Sequence, residues 1–173
     1  EGALSTVPVG WRPDFDEAGL DAARRQLRAA VGALAALAAR TDRRVVLALE
    51  PEPGCVLETT DELVSFIESL ALPEDQRPLL GVCWDCCHVA LAFEQPARSL
   101  ATLAAAGVPL AKVQLSTALI WEGRDPTPLL RYTGDPWLHQ TIVRDRDGRL
   151  HRYADLGDAI AARPDAADEE WRI

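Results

Sequence analysis

Apolar positions recur with a helical period over residues 14–41, and this pattern predicts the longest helix of the chain. The arginines of this segment occupy the opposite side, as on a helix with one face toward a core and the other toward solvent. Asp14 or Asp16 supplies a carboxylate that can cap the start of the helix. The periodic apolar positions are Leu20, Ala23, Leu27, Ala30, Val31, Leu34, Leu37 and Ala38.

Three strands are predicted at residues 44–50, 79–84 and 110–115, and the first of them is continuously apolar from Val45 to Leu49. Continuous rather than alternating apolar residues are typical of parallel strands that are covered on both faces. Helical patterns separate the runs: one opens with a capping box at Thr59 and Glu62, and another follows Pro96. This alternation predicts an α/β fold, namely a partial (β/α)8 TIM barrel whose parallel strands are joined by helical crossovers.

The pattern changes after residue 116. The segment 121–136 is rich in proline, glycine and charge, which indicates a long functional loop or a short irregular helix. Residues 137–143 and 149–153 flank the turn at 145–148, and this arrangement predicts a late β-hairpin. Asp155 is placed to cap a short helix over 156–162.

The chain has 173 residues, whereas a complete eight-stranded barrel needs about 250. Residues 1–173 are therefore expected to be an internal fragment of one TIM-barrel domain, with both ends truncated.

The charge balance is acidic, with 18 basic and 27 acidic residues and a net charge of -9. Such a surface disfavours nucleic acid as the main partner, because a clustered basic face is missing. No apolar span of about 20 residues and no signal peptide occurs, which argues against membrane insertion and secretion. The spacing of the four cysteines does not suggest a disulfide framework. We therefore expect buried, reduced thiols and a cytoplasmic protein.

Groups able to bind metal follow two neighbouring strands. Glu50 ends the first predicted strand, and Asp85 and His88 follow the second at a spacing that places both on one helical face. In parallel barrels, chemistry lies at the carboxyl ends of the strands. Oxygen ligands with one or two imidazoles suit Mn²⁺, Mg²⁺ or Zn²⁺. The alternatives are a charge partner for Glu50 at the barrel mouth and a histidine packed under a loop.

Three further residues extend the candidate site. Gln114 ends the third strand and can hydrogen-bond a substrate, and its spacing puts it on the same strand face as Lys112. Glu58 is a nearby acid that either contacts substrate, as a poor candidate base, or is exposed just before the cap Thr59. His139 either completes the metal site or is a surface residue.

The segments 47–55, 84–88, 113–116 and 138–141 carry a family resemblance. The chain resembles the xylose-isomerase-like TIM-barrel superfamily of sugar isomerases, epimerases and endonuclease IV-type enzymes, and more closely the EboE-type metabolite-traffic proteins. This resemblance implies that Glu50 and Asp85 bind a divalent metal and that His88 contacts metal or substrate. Gln114 stands where the isomerases place a metal-binding histidine, and their last ligand, a glutamate, is expected beyond Ile173.

Two functions follow from the resemblance. The leading hypothesis is a metal-dependent isomerase or epimerase that acts on a small sugar-like or carbonyl metabolite, with Glu50 and His88 catalytic. The alternative is a metabolite-traffic protein that exports or handles a secondary metabolite with little or no catalysis. Phosphodiester cleavage of the AP-endonuclease type is disfavoured by the acidic charge.

Overall fold

A computed structural model of the chain describes residues 2–135 and 139–173. Its first half contains a four-stranded parallel sheet in which the strands follow one another in chain order. The strands are β1 (Gly2–Thr6), β2 (Val45–Leu49), β3 (Leu80–Asp85) and β4 (Leu110–Gln114). The helices that connect and follow them are α1 (Glu17–Thr41), α2 (Thr60–Ser69), α3 (Cys86–Leu91) and α4 (Pro96–Ala105).

The parallel sheet is curled as in half of a barrel. β1 and β4 are the two outer strands of the sheet, yet Lys112 Nζ on β4 donates a hydrogen bond to Ser5 Oγ on β1 at 2.9 Å. A flat sheet would hold these strands about 14 Å apart, three times the spacing between neighbours. The prediction of a partial TIM barrel is confirmed.

The outer face of the sheet forms the main core against the helices. Val31 of α1, Leu63 of α2 and Leu103 of α4 pack with Leu49 and Val82 of the strands, and all are buried. The inner face carries small residues instead, including the buried Ala48 and Cys83. This difference leaves the inner face free for polar groups at the ends of the strands.

The helix ends follow local capping. α1 begins at Glu17 rather than at residue 14, because Asp16 is the residue that caps it by accepting a hydrogen bond from Gly19 N at 2.8 Å. Residues 12–14 form a separate 3-10 turn. The capping box of Thr59 and Glu62 is confirmed at the start of α2.

The second half of the chain forms an antiparallel sheet with the strand order β5, β8, β6, β7. The strands are β5 (Ile120–Trp121), β6 (Thr141–Arg144), β7 (Leu150–Tyr153) and β8 (Glu170–Arg172). The predicted hairpin is confirmed as β6 and β7, although its first strand begins only at Thr141, and residues 137 and 138 of that prediction lie outside the described residues. Asp155 caps helix α5 (Leu156–Ala162) as expected. β5 and β8 were not predicted, because two or three residues are too few for a periodic pattern.

Contacts from the antiparallel sheet reach the half-barrel directly. The Arg172 guanidinium on β8 donates a hydrogen bond to Ala90 O at 2.5 Å and lies over the Phe93 ring at 4.0 Å. Among the described residues, no helix combines the length and apolarity needed to cross a membrane.

Candidate functional site

The carboxyl ends of β2, β3 and β4 bring together the three strand-end residues that the sequence singled out. Gln114 lies opposite Asp85 in the sheet register. Its side-chain Nε2 donates one hydrogen bond to Glu50 Oε1 at 2.5 Å and another to Asp85 Oδ2 at 2.8 Å. Two carboxylates therefore converge on one amide group, at the edge where parallel barrels place their chemistry.

Asp85 is buried, and protein groups donate hydrogen bonds to its carboxylate. Its Oδ1 accepts hydrogen bonds from Ser116 Oγ at 2.5 Å and from Cys87 N at 2.9 Å, and through the second of these it caps α3. Burial acts to raise the pKa of Asp85, but the hydrogen bonds from Ser116 and Cys87 and the nearby His88 ring outweigh it, so the pKa lies below its ordinary value. The carboxyl group is consequently an anion at neutral pH.

His88 is held by the loop that follows β2. The chain turns helical directly after Asp85, as the Asp85–His88 spacing required, and the ring Nδ1 lies 2.9 Å from Pro51 O. A carbonyl only accepts hydrogen bonds, so Nδ1 carries a hydrogen, and in the neutral form of the ring Nε2 then presents its lone pair. A hydrogen bond from one ring nitrogen to a carbonyl usually orients a histidine whose other nitrogen binds a metal or takes part in catalysis.

The loop itself is stiffened by local sequence. Pro51 and Pro53 restrict its backbone, and Gly54 adopts a φ of +77°. A Cβ at Gly54 would lie 2.3 Å from Trp11 Cζ3, so only glycine fits against this ring. The Pro51 carbonyl that orients His88 thus belongs to a restrained segment.

A candidate cation site lies at these strand ends, and Glu50 is not one of its three members. Ligand atoms of Asp85, Cys87 and His88 lie within 4.8 Å of one another, which is the only such group found in residues 2–135 and 139–173. Glu50 Oε1 lies 3.7 Å from His88 Nδ1. Oxygen and imidazole donors of this kind suit Mn²⁺, Mg²⁺ or Zn²⁺. The Cys87 thiol is a weaker candidate, because burial and the adjacent Asp85 raise its pKa to about 11.

Lys112 lies beside this group. As the alternation along β4 predicted, Lys112 and Gln114 share one face, and this face is the inner one. Lys112 Nζ is 3.4 Å from Gln114 Oε1. The amide oxygen therefore faces a cation while the amide nitrogen faces two anions, and this arrangement fixes the orientation of the amide.

Glu58 is buried, so the expectation that it is exposed is wrong. The residue retains 2% of its accessible surface. Arg152 Nε donates to its Oε1 at 2.5 Å and Gly54 N donates to its Oε2 at 3.0 Å. Both carboxylate oxygens are engaged, and a contact with substrate stays a prediction.

His139 lies just before β6, with its Nδ1 3.2 Å from Ala154 O. Within the part of the chain that the structure describes, it does not join the group of metal-ligand atoms around Asp85. Its neighbour Gln140 contacts the loop after β2 through Glu52 Oε1 at 3.2 Å. A role for His139 as a ligand therefore stays a prediction.

Sequence reasoning missed the functions of Ser116, Cys87 and Lys112. Ser116 follows Gln114 by two residues, so the alternation along the strand pointed to the same face. The polar side chain of Lys112 in an otherwise apolar run carried the same signal. The pairing of Glu58 with Arg152, 94 residues away, had no local signal.

Comparison with protein families adds one finding. The model of the family described as xylose isomerase-like TIM barrel matches residues 3–159. This match covers the parallel half-barrel and most of the antiparallel sheet, and it does not distinguish subfamilies, so the EboE-type resemblance stays a prediction. No curated protein matches the chain.

Proposed function

The chain belongs to the xylose isomerase-like TIM-barrel family, and we propose that it binds a divalent cation together with a small polyhydroxylated or carbonyl metabolite and isomerises or epimerises that metabolite. The observation that carries the proposal is the convergence of Glu50 and Asp85 from adjacent strands on Gln114 Nε2. Two carboxylates that share one donor would also accept a cation as their common partner.

Glu50, Asp85 and His88 are the residues that would hold the cation or contact the substrate. A bound divalent cation supplies polarisation of a carbonyl and its neighbouring hydroxyl. In an isomerisation, the Glu50 carboxylate takes the proton from the hydroxyl-bearing carbon beside the carbonyl and returns it to the former carbonyl carbon, while the proton of that hydroxyl passes to the former carbonyl oxygen. His88 Nε2 accepts a hydrogen bond from a substrate hydroxyl, and the Pro51 carbonyl keeps the ring in that orientation.

Metal analysis of the purified protein and two variants tests this proposal. The expected result is about one tightly held divalent ion per chain, with a loss of affinity of about 10-fold or more in Glu50→Gln and in Asp85→Asn. Glu68→Gln is the matched control, because Glu68 is an exposed carboxylate on α2. Equal metal binding by the wild type, Glu50→Gln and Asp85→Asn, or a wild type that binds no divalent ion, would reject the proposal.

A second function is favoured by the charges around Gln114. The amide donates to both carboxylates with its nitrogen and lies near the Lys112 ammonium with its oxygen, so its own hydrogen-bonding groups are all occupied by the protein. Such a site suits a protein that handles or exports a metabolite with little or no catalysis. Ligand binding without conversion of any sugar or polyol in the presence of Mn²⁺ would support this function, and turnover of any one of them would exclude it.

A further inference from the structure

Lys112 is the only lysine among the 173 residues, and the other 17 of the 18 basic residues are arginines. It lies on the inner face of β4, where it pairs in register with Cys83 and precedes Gln114 by two residues. Lysine and arginine are not interchangeable, because lysine presents a compact ammonium on a flexible chain. The single lysine thus lies next to the candidate site.

The ammonium of Lys112 is kept apart from the acidic residues of the site. Among the residues that the structure describes, its hydrogen bonds go to the neutral oxygens Ser5 Oγ at 2.9 Å and Gln114 Oε1 at 3.4 Å. Glu50 and Asp85 bind the opposite end of the same amide. The amide therefore separates a negative half of the site from a positive half, and the positive charge is not cancelled by a direct ion pair with either acid.

We propose that Lys112 binds an anionic substituent of the metabolite, a carboxylate or a phosphoryl group, while hydroxyl groups of the same molecule lie at Glu50 and Asp85. This inference rests on the proposed function, because it names the ligand class of the same site. A hydroxy acid or a phosphorylated polyol matches both halves. A neutral sugar would occupy the acidic half only, whereas the exposed Lys112 ammonium is accessible to an anionic group.

The alternative role of Lys112 is structural, since its bond to Ser5 joins β4 to β1. Both roles would make Lys112 substitutions harmful, so loss of activity in a variant does not separate them. The decisive measurement therefore uses the unaltered protein. Because Lys112 is the only lysine of these residues, acetylation of its amine reports on one known position.

The experiment measures the rate of Lys112 acetylation by mass spectrometry of the peptide that contains it, at fixed ionic strength, with and without Mn²⁺. The probes are glycerate, glycerol 3-phosphate and the neutral glycerol, at equal concentration. The expected result is that at least one anion slows acetylation about threefold at roughly twice its dissociation constant, whereas glycerol leaves the rate unchanged. Protection by glycerate alone assigns a carboxylate, and protection by glycerol 3-phosphate alone assigns a phosphoryl group.

Absence of protection by both anions, or equal protection by all three probes, would overturn the inference. A calorimetric titration of Lys112→Met and Lys112→Arg gives a second readout, with Arg25→Met as the control that removes an exposed positive charge from α1. The anion preference should vanish in Lys112→Met and persist in Lys112→Arg and Arg25→Met. If an anion protects Lys112 but the protein binds no metal, the isomerase proposal is rejected and this inference stands. If the protein binds metal but neither anion protects Lys112, this inference is rejected and the isomerase proposal stands.

Discussion

The side-chain amide of Gln114 determines how charge is arranged in the candidate site. With its nitrogen toward Glu50 and Asp85 and its oxygen toward Lys112, each end of the amide faces a group of opposite polarity. A rotation by 180° would place the oxygen against two carboxylates and the nitrogen against an ammonium. The observed orientation is therefore the favoured one as long as no cation lies between the carboxylates.

Replacement of this amide by an apolar group should destabilise the protein. We expect Gln114→Leu to lower the free energy of unfolding by about 1–3 kcal/mol, because the buried Asp85 and the neighbouring Glu50 each lose a hydrogen-bond donor. Urea unfolding at pH 7 measures this change. Gln26→Leu, on the exposed side of α1, is the matched control and should have little effect.

A divalent cation should reduce the difference in unfolding free energy between the wild type and Gln114→Leu, since the cation can neutralise the charge of both carboxylates directly. The same urea titration in the presence of Mn²⁺ measures this effect. A Gln114→Leu protein as stable as Gln26→Leu, with or without Mn²⁺, would contradict this account of the residue.

At the scale of elements, two carboxylates at the start of α2 have opposite pKa shifts: Glu62 belongs to the helix, and Glu94, between α3 and α4, accepts hydrogen bonds from Thr60. Glu62 Oε2 accepts hydrogen bonds from the Glu58 and Thr59 amides, and its Oε1 accepts one from Arg12 at 2.7 Å. Burial acts to raise the pKa of Glu62, but these hydrogen bonds hold it below the ordinary value of 4.5. Burial raises the pKa of Glu94 above that value despite the hydrogen bonds from Thr60.

These opposite shifts predict opposite responses to removal of the charge. Glu62 stabilises the fold fully above its unfolded pKa, and this contribution is lost as the pH falls through the lower folded pKa. The ionised Glu94 costs stability above its raised folded pKa, and this cost disappears as the pH falls below the unfolded pKa.

We therefore expect Glu62→Gln to lower the free energy of unfolding at pH 7 by roughly 0.5–1 kcal/mol. Glu94→Gln should leave it unchanged or raise it. Both differences from the wild type should shrink as the pH falls below 4. Denaturant unfolding of the two variants at several pH values tests this, and a loss of similar size in both at pH 7 would refute the assignment.

The elements of the half-barrel could be predicted from the sequence because their signals are local. The helical period of α1, the capping box of α2 and the apolar runs of β2, β3 and β4 each lie within a few residues of the structure they form. The strand-end positions of Glu50, Asp85 and Gln114 followed from the same runs. By contrast, β1 is largely exposed, with Leu4 at 58%, so its five residues gave no clear buried pattern.

At the scale of the whole molecule, residues of the antiparallel sheet and of the segment before it contact the loop at 50–58, which orients His88. Arg152 of β7 pairs with the buried Glu58, and Gln140 contacts Glu52, so the segment after β2 is held from both ends. The two residues of each contact are far apart in the chain, by 88 positions for Gln140 and Glu52 and by 94 for Arg152 and Glu58. No local pattern encodes such pairs, which is why the burial of Glu58 against Arg152 was not predicted.

The central claim is that Glu50, Asp85 and His88 surround one divalent cation at the mouth of the half-barrel. Anomalous diffraction from crystals of the protein soaked in Mn²⁺ tests this most directly, since it locates the ion independently of any activity. The account predicts a strong peak about 2.0–2.6 Å from oxygens of Glu50 and Asp85 and close to the His88 ring. Density that keeps Gln114 Nε2 between the two carboxylates, with no anomalous peak at this position, would contradict it.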